Sequence, residues 1–600
     1  MAEAAEGNPL FVEEMLGMLI DDGLLERRNG HWVATGDVTS VAVPPTIQAL
    51  LSARLDRLEP AERAVVERAS VEGKIFHRGA VAELSRAELR NDIGGHLQTL
   101  VRKELLRPDR ASFAGEDAFR FRHLLIRDAA YDAMPKELRA QLHELFAGWL
   151  ERAAGAHVLE YEEILGFHLE QAYRYREELA PLDDEPRSLG ARAGERLASA
   201  GQRAFVRNDA PAAISLLDRA LGTLPAESPL RPKLLCDLGL ALSDRGEFAR
   251  AEAVLSEAAT AAEALNEPAL AAIATIRSTW VRLLAGGAPM EESKANIEES
   301  VHRLEELRDE DGLAEAYSFL GTMFMWTGLC AGAVEVLERS ASLARRTGAD
   351  RVASRSLSWL LISTLWGPMT VSDGLVLCER IVAEGSDRYV EGFASFIQGV
   401  LRTMAGDWEE GRALIATGRT VLEELGQHVN LASMRMASAR PEFFAGRLRE
   451  SEDDLRFGYD VLDEMGEKGY LSTLAATLAV VLRAQDRHDE AEAYAQEARE
   501  LGAEDDRSTQ LYWRCAQAEV LASRGEIDEA RRLVQEAQEV IDATDMTIDR
   551  AAALLSRAFV EKAAGNRDRA RIALEQALGL FEEKGDVTAA AHTHGLLGAV

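Results

Sequence analysis

The chain of 600 residues is too long to fold around one hydrophobic core, so several domains or a repeat array are expected. Hydrophobic residues make up 47% of it, which excludes a largely disordered protein, and no apolar run is long enough to span a membrane. The N-terminus lacks the basic and apolar regions of a signal peptide, and the four cysteines form no CxxC pair. The sequence therefore predicts a cytoplasmic protein without disulfides or zinc.

The formal net charge of −33 is unevenly distributed, because only about −5 of it falls in residues 1–150. The long remainder is strongly acidic and repels phosphate backbones, which makes it a poor nucleic-acid binder. Most acidic faces are simply solvated. If this acidic surface binds a partner, its charge favours a protein or a basic peptide.

The first 45 residues predict a small domain. Residues 9–22 have the apolar spacing of an amphipathic helix, and Asn29-Gly30 between two short segments is typical of a two-residue β-hairpin turn. Pro44-Pro45 then interrupts the chain before a further helix.

Residues 46–135 have the outline of a winged helix: two helices, EPAERAVVERASV and GGHLQTLVRKELL, precede strands in LLRPD and AFRFRH. The candidate second helix carries Arg102, Lys103 and Arg107, but residues 51–150 have a net charge of only about +1. DNA-reading domains are clearly basic. We therefore expect a structural, regulatory wing without direct DNA binding, followed by connecting helices over residues 136–188.

From residue 189 to residue 600 the sequence is periodic. Breaker residues separate apolar helical runs at Asn208, Gly246, Gly286, Gly328, Gly367, Gly406, Gly446, Asp486, Gly525 and Gly565. Successive gaps are 38 to 42 residues, and such a constant period is typical of a repeat array. The sequence predicts about ten helix pairs with a period near 40.

Small residues mark the crossing of the two helices in each unit. In the unit around Gly246, Gly239 and Ala251 leave room for a close approach. A small residue recurs five places after the turn at Ala213, Ala333, Ala491, Ala530 and Ala570. This pattern resembles the tetratricopeptide repeat, whose usual unit is 34 residues, although the units around Gly367, Gly406 and Gly446 match it poorly. The resemblance implies an all-α fold with minor β structure in the wing, ending in an α-solenoid superhelix.

Stacked helix pairs form a concave surface that binds a peptide, a helix or another domain. Five tryptophans of the middle units are candidates to line this groove: Trp280, Trp326, Trp359, Trp366 and Trp408. The same residues could instead fill gaps between repeats, and the sequence leaves both interpretations open.

The N-terminal motifs carry a second resemblance. EGNPLFVEEML, VPPTIQALLSARLDRL and FRFRHLLIRDAAYDAMPKELRAQLH are similar to the lid and winged-helix region of signal-transduction ATPases with numerous domains. The whole chain resembles the C-terminal part of bacterial proteins that join an adenylate/guanylate cyclase domain, such an ATPase and a tetratricopeptide array. The resemblance implies that residues 1–45 are a remnant of the ATPase lid, and that the upstream ATPase and cyclase domains are partners of this chain.

Two residues take nucleotide-sensing roles by this resemblance. Pro9 matches the proline that packs near the adenine, and His123 matches the histidine that reaches the β-phosphate of ADP in the closed state. Leu124 replaces the aspartate of the family motif, so any contact made by that aspartate is lost. A histidine can donate to a phosphate oxygen, but a lone histidine after a strand is more often a packed structural residue.

No enzyme is expected from this chain alone. The phosphate-binding GxxxxGK[ST] is absent, so ATP or ADP with Mg²⁺ would bind only in a complete parent protein. His168 with Glu170, and His592 with His594, lack further ligands at metal-binding spacing. The function predicted is the regulatory and sensory region of a cyclase-linked ATPase. A free-standing tetratricopeptide scaffold and part of a LuxR-like transcription regulator are the alternatives.

Overall fold

A computed structural model describes residues 11–12, 15–16, 19–20, 24–28, 31–35, 46–179 and 184–600. The chain divides into two compact units. One comprises residues 1–200 with 222–225, and the other comprises 201–221 with 226–600. Each unit is described by itself below.

The first unit begins with a β-hairpin. Strands Leu25–Arg28 and His31–Ala34 pair antiparallel with Arg28 opposite His31, in agreement with the predicted two-residue turn, whose own residues lie outside the described part. Phe11, Met15 and Leu19 are helical and buried at a spacing of four, as expected for one face of a helix.

Residues 47–121 of this unit form helices around a three-stranded antiparallel sheet. The helices are Ile47–Asp56, Pro60–Glu72, Arg78–Leu84, Ala87–Arg90 and Ile93–Arg102. The strands are Ile75–His77, Leu106–Asp109 and Ala118–Phe121, and the last lies between the other two. Strand Ile75–His77 is not expected from the sequence, because three residues are too few to show an alternating pattern. Phe76 and Phe121 pack in the core at 5.3 Å between ring centroids.

The remainder of the first unit is helical, with helices Leu124–Asp132, Lys136–Ala154 and Glu162–Leu179 and a 3₁₀ helix over Gly155–Tyr161. Phe146, Trp149 and Leu169 form its core. A buried polar cluster lies beside this core, where His143 Nδ1 and His168 Nδ1 are 2.8 Å apart. Burial lowers the pKa of His143 to about 3, so the imidazole is neutral and the cluster is structural.

The repeat array consists of ten consecutive helix pairs and a final helix. The pairs are Asp184–Val206 with Ala210–Thr223, Arg231–Asp244 with Phe248–Ala264, Pro268–Leu284 with Met290–Leu307, Glu310–Trp326 with Cys330–Thr347, Asp350–Trp366 with Val371–Ala383, Arg388–Ala405 with Trp408–Glu424, His428–Ser433 and Arg435–Phe444 with Leu448–Met465, Gly469–Ala484 with His488–Leu501, Arg507–Ser523 with Ile527–Asp542, and Thr547–Ala563 with Arg567–Lys584. Helix Val587–Gly598 follows. The fold class is thus as the sequence predicts, an all-α solenoid of the tetratricopeptide type with few strands.

In eight of the ten pairs, three small residues lie where the two helices contact each other. The second of them follows the first by twelve positions, and the third follows the second by seven. In the second pair these are Gly239, Ala251 and Ala258. In the sixth pair all three are glycines, Gly399, Gly411 and Gly418, and a Cβ on Gly399 would lie 2.6 Å from the Gly411 carbonyl oxygen. The unit around Gly406 therefore keeps the repeat signature in an all-glycine form, which brings its two helices even closer.

Turns of the superhelix contact each other directly within the second unit. The turn of the fourth pair accepts a hydrogen bond at the Gly328 carbonyl from the Asp545 amide, at 3.1 Å. Asp545 Oδ1 and Oδ2 in return accept from the amides of Cys330 and Ala331 at 2.8 and 2.7 Å, which caps a helix about five pairs away. The sequence predicts a concave surface along the stacked pairs, and these contacts in addition bring successive turns together.

Candidate ligand site within the repeat array

A cavity of about 590 Å³ lies inside the second unit. It is lined almost entirely by the first helices of the fourth to tenth pairs, together with the final helix. Ligand pockets commonly have volumes of 300–1,000 Å³ and mostly apolar walls. The site therefore has the size for a small ligand.

The structure brings three of the five candidate tryptophans to this cavity. Trp326, Trp359 and Trp366 line it and are half-buried. Their large apolar faces are suited to contact with a ligand that has an apolar body.

The other two tryptophans lie elsewhere. Trp280 is 6% exposed and packs against Phe319 and Trp326 at centroid distances of 5.6 and 5.5 Å, behind the cavity wall. Trp408 lies under the Arg447 guanidinium, whose Cζ is 3.6 Å from the ring centroid. Neither residue lines the cavity.

Arg440 is a cationic side chain of the cavity wall that sequence reasoning missed. Its Nε, Nη1 and Nη2 are each shielded from solvent, and none has a hydrogen-bond partner in the part of the chain that the structure describes. Its Cζ lies 5.2 Å from the centroid of the Phe444 ring. An arginine in an amphipathic helix looks like a surface residue in sequence, and only the adjacent Pro441, which is unusual inside a helix, marks the position.

The acidic side chains of the cavity wall have partners. Glu519 pairs with Arg483 at 2.5 Å, and Asp506 accepts hydrogen bonds from the hydroxyls of Thr509 and Thr473 at 2.7 and 3.3 Å. Burial raises the pKa of the Asp506 carboxyl. The unmatched charge of the lining is therefore positive.

A second set of predicted site residues belongs to the first unit. His123 precedes helix Leu124–Asp132 in an extended conformation and is half-buried, while Leu124 and Leu125 beside it are 52% and 40% exposed. Pro9, its predicted companion, lies outside the described residues.

The histidines considered for metal binding have other contacts. His168 contacts His143, and Glu170 pairs with Arg174 at 2.6 Å. His592 packs on Phe444 at a centroid distance of 5.5 Å. Within the described residues, no three His, Cys, Asp or Glu side chains are grouped so that they could hold a metal ion.

Ten helix pairs with a period near 40, eight of which have small residues at constant spacing where their helices meet, define an α-solenoid of the tetratricopeptide type. The tetratricopeptide repeat family matches residues 472–504, which cover most of the eighth pair. No protein of curated function matches the chain in sequence. Among the described helices, none combines the length and the apolar character that crossing a bilayer requires.

Several solved structures are similar to this chain. A signal transduction ATPase with numerous domains that has a tetratricopeptide repeat sensor, from Pyrococcus horikoshii, covers 100% of this chain and 70% of its own, with 12% identity and a TM-score of 0.33. The Cut9–Hcn1 hetero-tetramer of APC/C covers 77% of this chain and 87% of its own, with 13% identity and a TM-score of 0.43. Yeast Tom70 covers 76% and 96%, with 12% identity and a TM-score of 0.27.

Proposed function

We propose that this chain is the sensory and regulatory region of a cytoplasmic, cyclase-linked signal-transduction ATPase. In this proposal the repeat array binds a protein or peptide partner, and the N-terminal unit relays binding to a nucleotide domain elsewhere in the parent protein. A partner that prefers one state of such a protein shifts its equilibrium by the difference in affinity between the states. ATP or ADP with Mg²⁺ would be the parent protein's ligands.

The element order of residues 60–121 is the observation that carries the proposal. These residues form, in chain order, a helix, a strand, a helix, a short helix, a helix and a two-stranded hairpin, and all three strands lie in one sheet. This is the arrangement expected of a winged helix. It precedes a repeat array in the same chain, as in the resembled ATPases. His123 and the exposed Leu124 follow the last strand of the sheet directly, at a position suited to contact with a nucleotide domain.

A DNA-binding role for this unit receives no support from its charged side chains. Lys103 Nζ is 2.7 Å from Glu62 Oε2, and Arg122 Nη1 is 2.9 Å from Glu104 Oε2. Arg102 donates to the Thr99 hydroxyl at 2.7 Å. Proteins that bind DNA through phosphates present a stripe of accessible cations instead. We therefore propose a regulatory wing rather than part of a transcription regulator.

The coding DNA upstream of Met1 tests the parent context. We expect the reading frame to continue upstream into a nucleotide-binding core that contains GxxxxGK[ST]. A stop codon and a ribosome-binding site directly before Met1 would contradict the proposal and leave a free-standing scaffold.

The role of His123 is tested in the protein that includes that core. We expect His123→Ala to release ADP at least tenfold faster, because a donor to the β-phosphate is lost. His157→Ala is the control, since His157 is exposed in the same unit. Equal release rates for His123→Ala and the wild type would rule out the nucleotide-sensing role.

A further inference from the structure

The cavity of the repeat array combines an apolar interior with one arginine whose nitrogens are buried without a hydrogen bond. Trp359, Trp366 and Phe443 contribute apolar surface to the lining, and Arg440 contributes a guanidinium without a protein partner. Of the arginines in the described part of the chain, Arg440 alone has all three nitrogens shielded from water and without a hydrogen bond. Burying such a charge is costly unless an anion accompanies it.

The acidic side chains nearby accept no hydrogen bond from Arg440. Glu519 is engaged by Arg483, and Asp506 is engaged by two threonine hydroxyls. The buried carboxyls of Asp549 and Asp586 do not line the cavity, and the charge of Arg440 opposes the rise that burial causes in the pKa of both, but neither carboxyl accepts a hydrogen bond from Arg440. Lys562, which also lines the cavity, adds a second positive charge. The N–H groups of Arg440 therefore lack an acceptor, which the anionic group of a ligand would supply.

We propose that this cavity binds a small amphipathic organic acid, with the anionic group on Arg440 and the apolar body among the tryptophans. The planar guanidinium presents a fork of N–H donors that matches the oxygens of a carboxylate or a phosphate monoester. The volume of about 590 Å³ suits one such molecule and is too small for a folded partner. The proposal goes beyond the signalling context above, because it applies equally to a free-standing array.

The ligand would join distant parts of the array. The lining comes from seven consecutive pairs, and Trp326 of the fourth pair contacts Tyr470 of the eighth at a centroid distance of 4.8 Å. A molecule that contacts both turns stabilises their contact, and the stabilisation increases with its affinity for this arrangement. The cavity is thus a site where a metabolite controls the rigidity of the array.

Displacement of a neutral fluorescent probe from the full-length protein tests the proposal. N-Phenyl-1-naphthylamine reports on the apolar interior, and octanoate, octyl phosphate and octanol compete for it with the same chain length. We expect both acids to displace the probe at concentrations at least tenfold lower than octanol. The order of the two acids distinguishes a carboxylate ligand from a phosphate ligand. Equal potency of octanol and the acids on the wild type would overturn the proposal, and this comparison needs no variant.

Two variants separate the anionic group from the apolar body. Arg440→Gln should keep the affinity for the probe within twofold and abolish the advantage of the acids over octanol. Arg449→Gln is the matched control, because it removes the same charge from an exposed position in the same helix pair and should keep that advantage. Ala552→Phe fills part of the cavity and should weaken probe binding at least tenfold. An acid advantage that persists in Arg440→Gln, probe binding unaffected by Ala552→Phe, or displacement by a mixed peptide pool but not by the acids would overturn the proposal.

Discussion

Lys584 Nζ donates a hydrogen bond to the carbonyl oxygen of Gly367 at 2.7 Å, although 217 residues separate the two in the chain. The same ammonium donates to the carbonyls of Thr364 and Met369 at 2.6 Å each. Lys584 is fully buried, so the end of the tenth helix pair is bound to the turn of the fifth pair. Gly367 has φ −71° there, unlike the left-handed glycines of the other turns, and its carbonyl is thereby available to the lysine.

Lys584→Met should destabilise the second unit by about 3 kcal/mol, because three buried carbonyls lose their donor at once. Amide hydrogen exchange should accelerate in residues 364–371 and in helix Val587–Gly598. Lys233→Met, at an exposed lysine of the second pair, should change the stability by less than about 0.5 kcal/mol. Unchanged exchange in residues 364–371 would contradict the structural role of Lys584.

Glu467 makes the stability of the array depend on pH. Burial raises the pKa of its carboxyl to about 8, although the amides of Tyr470 and Leu471 donate to it. Because the folded state holds a proton that the unfolded state releases near pH 4.5, the contribution is present below that pH. It is lost as the pH rises from about 4.5 to about 8. The slope is at most about 1.4 kcal/mol per pH unit.

Glu467→Gln should flatten this dependence, since an amide stays neutral over the whole range. Urea unfolding at a series of pH values measures the effect, and Glu504→Gln, at an exposed acid, provides the comparison. Identical pH profiles for Glu467→Gln and the wild type would show that Glu467 does not titrate in this range.

A buried ion triad joins the second, third and fourth pairs. Arg277 donates to Glu315 Oε1 at 2.6 Å and to Asp237 Oδ1 at 3.0 Å, and all three residues are 5–6% exposed. Burial alone would raise the pKa of Glu315, but the Arg277 guanidinium outweighs it and holds the pKa below its usual value. Arg277→Met should destabilise the array by about 3–5 kcal/mol, because two buried carboxylates lose the guanidinium that pairs with them.

Arg250→Met provides the matched control for this triad, since Arg250 pairs with Asp218 at the surface of the same unit. Exposed pairs contribute about 0–1 kcal/mol, so that variant should unfold close to the wild type. Similar losses of stability in Arg277→Met and Arg250→Met would mean that burial does not distinguish the two ion pairs.

The glycine contact of the sixth pair predicts a sharp difference between two similar substitutions. Gly399→Ala should destabilise by about 1–3 kcal/mol, because its Cβ would meet the Gly411 carbonyl and the Ile415 amide, which are backbone atoms. Gly579→Ala should instead stabilise by about 0.5–1 kcal/mol, since nothing lies within 4 Å of its Cβ in the helix interior. Thermal unfolding of the two variants measures both signs, and a stabilising Gly399→Ala would refute the close contact.

The periodicity of the sequence predicts the helix pairs because each pair is a local structure with its own turn and its own small residues. Gly246, for example, takes the left-handed conformation expected of it, with φ +81°. The sixth pair was the harder case, since glycines replace the alanines of the signature at Gly411 and Gly418.

The contacts between superhelical turns could not be predicted in this way. Asp545 and Cys330 meet because small rotations between successive pairs accumulate over about five units, and no single unit encodes that sum. The same accumulated rotation places Arg440 in the wall of the cavity, so its position in the candidate site could not be predicted from the sequence.

The contact between Lys584 and Gly367 also limits how such a chain can evolve. In an open solenoid each repeat depends only on its neighbours, so units can be duplicated or lost one at a time. Here the insertion of a single helix pair between Gly367 and Asp545 would move the ammonium of Lys584 away from its three carbonyls and Asp545 away from the helix that it caps. We therefore expect the number of units between these residues to be fixed, so that the array changes as one block rather than as interchangeable parts.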